Sequence, residues 1–140
     1  MGIRAGIIIA SDRSAQGLRE DASGPALQHM LSEALIETVK TVIVADEKEE
    51  IKLTIKRLAD EDRLDLILTS GGTGVSPRDV TPDATLEVIE KQVPGIAEAM
   101  RYHSFTITPH AMISRAVAGI RGTSLIINLL PTADNLGLTT

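Results

Sequence analysis

The feature that most constrains the fold is the run of residues 3–10, which is short, apolar and rich in β-branched side chains. A strand buried on one face alternates between apolar and polar residues, whereas a strand buried on both faces is apolar throughout. Strands of the second kind belong to parallel sheets that are covered by helices. Residues 39–45 and 64–68 also read as strands. The sequence therefore predicts a parallel sheet with helices on both faces.

Helical patterns alternate with these strands, which is typical of a doubly wound fold. The predicted helices cover residues 23–37, 46–62, 81–92 and 94–104, with a helical turn at 109–115 and two further strands at 117–121 and 124–129. We predict an α/β protein with three α/β/α layers around a mostly parallel, doubly wound sheet, a C-terminal strand pair and a shortened C-terminus. Residues 1–140 form one predicted domain, in which residues 130–140 are an atypical tail.

Composition excludes several classes of function. Cysteine is absent, so disulfides, thiolate metal sites and cysteine nucleophiles are excluded. The net charge is −5 and aromatic residues are nearly absent, which argues against nucleic-acid binding. There is no membrane-length apolar run and no signal-peptide pattern at the amino terminus. We expect a cytoplasmic protein with neither membrane nor nucleic-acid partners.

The most informative motif is the segment of residues 69–85, Thr-Ser-Gly-Gly-Thr-Gly-Val-Ser-Pro-Arg-Asp-Val-Thr-Pro-Asp-Ala-Thr, which follows the third predicted strand. Its glycines allow positive φ and a close approach of the backbone to a ligand. A strand, a glycine turn and a helix start together form a phosphate cradle at the carboxyl edge of an α/β sheet. The motif is neither a Walker A loop nor a dinucleotide fingerprint, because Pro77 stands where the latter needs its third glycine.

Other candidate residues follow the first two strands and the last helical turn. Asp46 ends the second strand, where it can hold Mg²⁺ through water, bond a ligand's amine edge, or cap the next helix together with Glu49. Ser11 and Asp12 end the first strand, where they are either part of the same site or a solvated loop. Arg115 could direct a positive charge at phosphate. The three histidines show no metal-ligand spacing.

Taken together, residues 69–85, the Ser11-Asp12-Arg13 and Asp46-Glu47 strand ends, and the run Pro-Gly-Ile-Ala-Glu-Ala-Met-Arg at 94–101 resemble the MogA/MoaB group of molybdenum-cofactor biosynthesis proteins. The resemblance covers about nine tenths of the chain. It implies a doubly wound fold that is usually trimeric and, in the MoaB branch, often hexameric. It also implies a molybdopterin pocket at the carboxyl edge of the strands, where adenylyltransferases join molybdopterin to the AMP part of Mg-ATP and release pyrophosphate.

The resemblance also implies roles for particular residues. Asp46 and Asp79 match the functional aspartates of the family and would act in catalysis, as Mg²⁺ ligands or by orienting the pterin. The expected substrate and phosphate site consists of Ser11, Asp12, Ser70, Gly71, Gly72, Thr73, Gly74, Thr81, Asp83, Glu98 and Ser104.

One departure from the family pattern follows the last strand. The family expects Pro-Gly, a small residue and Pro, and then a long closing helix, whereas this chain reads Leu-Pro-Thr-Ala-Asp-Asn-Leu-Gly-Leu-Thr-Thr at 130–140. The altered tail casts doubt on nucleotide binding and favours self-association through an uncovered apolar face. Three alternatives to the enzyme stay open: a MoaB-type protein that binds molybdopterin without catalysis, an insertase-type or competence-damage-type relative, and an inactive protein that retains the fold.

Overall fold

The computed structural model describes residues 2–17 and 23–131. The elements run in the order β1 (Ile3–Ala10), α1 (Asp12–Ala15), α2 (Ser23–Glu33), β2 (Ile36–Val44), α3 (Lys48–Lys56), a π-helical turn (Arg57–Glu61), β3 (Leu66–Ser70), α4 (Thr81–Val88), β4 (Lys91–Gln92), α5 (Pro94–Phe105), a 3-10 turn (Pro109–Ile113), β5 (Ala118–Arg121) and β6 (Ser124–Leu129). None of the helices in this part of the chain has the length and apolarity needed to cross a bilayer.

One six-stranded sheet organises the chain, in the order β2-β1-β3-β6-β5-β4. The four strands β2, β1, β3 and β6 are parallel, while β5 is antiparallel to both β6 and β4. The predicted mostly parallel sheet and C-terminal strand pair are therefore confirmed. Because the parallel strands all end at one edge, the residues that follow β1, β2 and β3 meet there.

Both faces of the sheet are buried, as the apolar first strand predicts. Ile8 packs on the face covered by α3 and α4, and Ile7 and Ile9 pack on the face covered by α2. All three side chains are almost completely buried. Burying a side chain of this size stabilises the fold by roughly 1.5–3 kcal/mol relative to leaving it exposed. The burial of β1 on both faces therefore contributes strongly to the stability of the sheet.

Several element boundaries differ from the prediction. The second helix ends at Glu33 rather than at residue 37, because Leu35 takes a left-handed φ of 62° that stops the helix and starts β2. The helix predicted over residues 81–92 ends at Val88, because the extended Ile89 leads into β4, a strand that the sequence does not predict. Residues 12–15, predicted as loop, form a short helix capped by the Ser11 hydroxyl, which accepts a hydrogen bond from the Ser14 N–H at 3.2 Å.

The expectations for the tail fall largely outside the described residues. Only Leu130 and Pro131 of the segment 130–140 are described, and both are partly buried.

Candidate functional site

The glycine loop, residues 71–80, connects the end of β3 to the start of α4. Gly71 and Gly72 have φ values of 98° and 70°, which other residues adopt only at a cost. A Cβ atom on Gly71 would lie 2.2 Å from the Ala10 carbonyl oxygen, and one on Gly72 would lie 2.4 Å from the Thr81 hydroxyl oxygen. Both glycines are therefore required by backbone conformation and by close packing.

The loop leaves a row of main-chain donors available. Among the described residues, no group accepts a hydrogen bond from the N–H groups of Gly72, Thr73, Gly74 or Val75. The next N–H, of Ser76, donates to the Asp79 carboxylate at 3.0 Å. Adjacent backbone N–H groups without internal partners form an anion-binding concavity when they converge. The loop thus has the donor supply that a phosphate cradle requires.

Asp12 and Asp46 join the ends of β1 and β2. The Asp12 N–H donates to Asp46 Oδ2 at 3.1 Å, and the Asp46 N–H donates to Asp12 Oδ1 at 2.9 Å. The alternative that Asp46 caps the following helix is wrong, because the N-cap of α3 is Glu47 and no side chain caps that end. The Asp46 carboxylate therefore bonds back to the start of α1, the segment that follows β1.

Four carboxylates and one arginine set the electrostatics of this edge. Burial raises the pKa of Asp46, and the negative charges of Asp12 and Asp79 raise it further. Arg78 forms two hydrogen bonds to Asp12 and one to Glu47, and it holds the pKa of the Asp12 carboxyl below its usual range. The single positive charge of Arg78 is thus shared between Asp12 and Glu47, while burial is the main cause of the raised pKa of Asp46.

Two buried oxygen atoms beside Gly72 lack partners. Asp46 Oδ1 and Thr81 Oγ1 are inaccessible to solvent and form no hydrogen bond with the described residues. A Cβ on Gly72 would lie 3.4 Å from the first atom and 2.4 Å from the second, so both lie against the glycine loop. Because burying a polar atom without a partner costs free energy, such atoms in a native protein indicate a water, ion or ligand group at that place.

Arg115 ties the glycine loop to α4. Its N–H donates to the Thr73 carbonyl at 2.8 Å, and its Nε donates to the Gly74 carbonyl at 2.9 Å. Its guanidinium also donates to the Asp79 carbonyl and to both carboxylate oxygens of Asp83. The sequence suggests that Arg115 directs its charge at phosphate, whereas in the structure Arg115 forms an ion pair with Asp83. This ion pair lowers the pKa of the Asp83 carboxyl.

A cavity of about 90 Å³ opens beside the glycine loop. It is lined by Thr73, Gly74, Ser104, Thr108, His110, Ala111, Ile113, Ser114, Leu130 and Pro131. The loop, the end of α5, the 3-10 turn and the end of β6 thus share one concave surface. Leu130 and Pro131 show that the first residues of the altered tail still line it.

The structure brings most of the predicted site residues to this edge. Ser70 ends β3, Ser104 lines the cavity, and the loop glycines lie between the cavity and the carboxylates. Glu98 is exposed on α5 and forms no hydrogen bond or ion pair with the described residues of the site. Its expected place in the substrate site rested on the family resemblance alone.

Asn128 is a buried residue that the sequence analysis missed. Its side-chain amide donates to the hydroxyls of Thr69 and Thr85 at 3.0 Å each, and its oxygen accepts from the Val117 N–H at 3.2 Å. It therefore joins β3, α4 and the segment before β5 behind the glycine loop. A polar residue inside an apolar strand, Leu-Ile-Ile-Asn-Leu, is the sequence signal that could have revealed it.

The chain is similar to known proteins over most of its length. Residues 6–135 match the family described as "Probable molybdopterin binding domain". A protein named molybdopterin adenylyltransferase from Helicobacter pylori is 46% identical over 129 residues, which cover 91% of this chain and 73% of the relative. The protein of the same name from Escherichia coli K12 is 43% identical, with 91% of this chain and 66% of the relative covered.

Solved structures give the same result. The crystal structure of the molybdopterin biosynthesis enzyme MoaB from Thermus thermophilus superimposes with a TM-score of 0.88 and 43% identity, covering 95% of this chain and 84% of that one. A family match over nearly the whole chain, together with relatives above 40% identity, leaves one conclusion. The chain belongs to the molybdopterin-binding-domain family that includes the molybdopterin adenylyltransferases.

Proposed function

We propose that this protein acts in molybdenum-cofactor biosynthesis by transferring the AMP group of ATP to molybdopterin. The observation that carries the proposal is the row of unpartnered N–H groups from Gly72 to Val75, which lies between a cavity and a pair of carboxylates. The names of the relatives at 43–46% identity support the same reaction.

The reaction fits a site without a nucleophilic side chain. A phosphate oxygen of molybdopterin attacks the α-phosphorus of ATP, a new phosphate anhydride bond forms, and the bond from that phosphorus to the bridging oxygen breaks to release pyrophosphate. The attacking group is already an anion, so no serine, cysteine or histidine has to be activated. Catalysis then depends on positioning two anions and on stabilising the charge that develops on the phosphate oxygens. The loop N–H groups are suited to both tasks.

Mg²⁺ fits the oxygen chemistry at this edge. Asp46 Oδ1 is a buried oxygen without a described partner, and the negative charge of Asp79 helps to raise the pKa of Asp46. Within residues 2–17 and 23–131, no three histidine, cysteine or acidic side chains form a metal-binding group. Mg²⁺ often binds through one or two carboxylates, with substrate phosphates and water completing its shell. Asp46 and Asp79 would hold the ion, which would neutralise charge on the phosphates of ATP.

The remaining residues have roles as binding and orienting groups. Ser104 and Thr73 line the cavity next to the loop and can orient a substrate by hydrogen bonds. Ser11 and Asp12 fix the end of β1, and Arg78 compensates the Asp12 charge. Asp83 acts through Arg115, because both of its carboxylate oxygens bind that guanidinium.

A second candidate is a MoaB-type protein that binds molybdopterin without adenylylating it. It is supported by the structural similarity to the Thermus thermophilus MoaB protein, which superimposes with a TM-score of 0.88 at 43% identity. The two functions require the same pocket, so only an assay of the reaction separates them.

The purified protein should release pyrophosphate when it is mixed with molybdopterin, ATP and Mg²⁺. Omitting molybdopterin is the control for plain ATP hydrolysis. Adenylylated molybdopterin identified by mass spectrometry establishes the enzyme. Saturable molybdopterin binding without pyrophosphate release would establish the binding protein instead.

We also propose that the protein is a cytoplasmic homotrimer, with a hexamer as the alternative. Large apolar side chains of α5, of the 3-10 turn and of the residues between them are exposed, including Tyr102 at 77%, Ile107 at 65% and Met112 at 69%. Exposed apolar side chains grouped in this way mark an interaction surface. Sedimentation equilibrium should give three or six times the 14.9 kDa chain mass, and a stable monomer would contradict this proposal.

A further inference from the structure

Arg115 lies directly beside the site without lining the cavity. Its neighbour Ser114 lines the cavity wall, and Arg115 itself extends along the other side of the glycine loop. There it contacts the carbonyl oxygens of Thr73, Gly74 and Asp79, which belong to both halves of the loop. One residue therefore fixes the two arms of the loop against each other.

These contacts determine where the loop donors point. In a trans peptide unit the C=O and the following N–H point in opposite directions. The Thr73 carbonyl faces the Arg115 N–H at 2.8 Å, so the Gly74 N–H points away from Arg115. The Gly74 carbonyl faces Arg115 Nε at 2.9 Å, so the Val75 N–H also points away. Neither N–H meets an acceptor among the residues that the structure describes.

The charge of Arg115 is already compensated. Asp83 binds it through two hydrogen bonds, at 3.2 Å and 3.1 Å, in a fork-to-fork ion pair. Four of the five N–H donors of the guanidinium bind oxygen atoms of the loop and of Asp83, which leaves at most one for a substrate phosphate. Because a paired arginine with several backbone acceptors is well fixed, the geometry favours an orienting role over direct contact.

We propose that Arg115 is a positioning residue, which holds the carbonyls of the glycine loop on one side so that the N–H groups of Gly74 and Val75 face a phosphate on the other. This inference rests on the proposed phosphate-binding function of the loop. The Arg115–Asp83 pair would then serve to fix the conformation of the glycine loop. The inference also predicts different consequences for the two N–H groups. The Gly74 N–H is oriented by the main chain of residue 115, whereas the Val75 N–H is oriented by its side chain.

The test compares Arg115→Gln with Arg121→Gln. Arg121 is a matched control, because it forms a two-bond ion pair with Asp60 and donates to the Val88 carbonyl at 2.9 Å, away from the loop. We expect Arg115→Gln to lower kcat/KM for adenylyl transfer by roughly 10- to 100-fold, the range for a misplacement of about 1 Å in a reaction that depends on positioning. Arg121→Gln should remain within about twofold of the natural protein, since it lies outside the site.

Amide NMR spectra provide a readout that does not need turnover. In Arg115→Gln the Val75 resonance should shift strongly and lose its response to added Mg-ATP, while the Gly74 resonance should shift less. Arg115→Lys should be intermediate, because an ammonium group can reach one carbonyl but cannot reproduce the fork with Asp83. If Arg115→Gln does not fold, the Arg115→Lys variant decides the question by the same two measurements.

The outcomes separate the two proposals. A natural protein whose loop resonances respond to Mg-ATP but which forms no adenylylated product contradicts the enzyme and leaves the role of Arg115 standing. Full kcat/KM in folded Arg115→Gln, or equal effects of the Arg115 and Arg121 variants on kcat/KM and on the Val75 resonance, would overturn that role.

Discussion

Replacing Gly72 by alanine should destabilise the fold through a strained backbone conformation and one steric contact. The residue has a φ of 70°, where a non-glycine residue costs about 1–2 kcal/mol. The added methyl would also lie 2.4 Å from Thr81 Oγ1, a fully buried atom in the first turn of α4. Relieving an overlap of this kind in a packed interior costs about 1–3 kcal/mol. Together, the free energy of unfolding should fall by about 2–5 kcal/mol.

Gly122→Ala provides the matched control. Gly122 also has a positive φ, of 59°, but a Cβ there would meet nothing within 4 Å. This substitution should cost only the conformational part, about 1–2 kcal/mol. The difference between the two variants measures the steric part. Urea denaturation followed by circular dichroism, at one protein concentration, gives both values.

The variant Thr81→Ala identifies the contact. It removes the Oγ1 atom, which has no described partner, so the clash with alanine at position 72 should disappear in the double variant. The coupling free energy between the two substitutions should then be about 1–3 kcal/mol in the relieving direction. Equal costs at Gly72 and Gly122, or additive effects of the Gly72 and Thr81 substitutions, would refute the reasoning.

Two further predictions concern the aspartates. Asp79→Asn should keep the hydrogen bond from the Ser76 N–H through its remaining oxygen. Because the negative charge is lost, the rate of pyrophosphate release should fall by about 100-fold or more. An unchanged rate in the molybdopterin assay, for this variant or for Asp79→Ala, would remove Asp79 from the mechanism. The raised pKa of Asp46, caused mainly by burial, means that the folded state disfavours its charged form. The resulting loss of stability is absent below the ordinary pKa of about 4, develops between that value and the raised pKa, and is complete above the raised pKa. Asp46→Asn should therefore increase stability at neutral pH and have no such effect in acid, which urea denaturation from pH 3 to pH 7 checks; a larger gain in acid would contradict the assignment.

The sheet and the glycine loop could be predicted from the sequence because their signals are local. An apolar run such as residues 3–10 predicts a buried strand, and a cluster of glycines before Thr81 predicts a turn. Each pattern spans only a few positions. The fold class and the convergence of strand ends follow from these signals and from the parallel connections.

The details of the site could not be predicted, because distant residues decide them. The sequence around Asp46 fits a capping box, yet its carboxylate bonds to Asp12, which is 34 positions away. Arg115 reads as a free cation, yet it binds Asp83 across 32 positions. Local sequence does not determine the hydrogen-bond partners of such side chains, because residues distant in the sequence supply them.

The amide of Asn128 has one permitted orientation, and this limits what can replace it. The Thr85 hydroxyl gives its hydrogen to the Thr81 carbonyl at 2.9 Å, so towards Asn128 its oxygen can only accept. The Val117 N–H can only donate. A side chain at this position must therefore offer donors on one side and an acceptor on the other. Aspartate has the right shape but no donor, leucine has neither donor nor acceptor, and glutamine is one carbon too long, so hydrogen-bond polarity and side-chain length together restrict this position to asparagine.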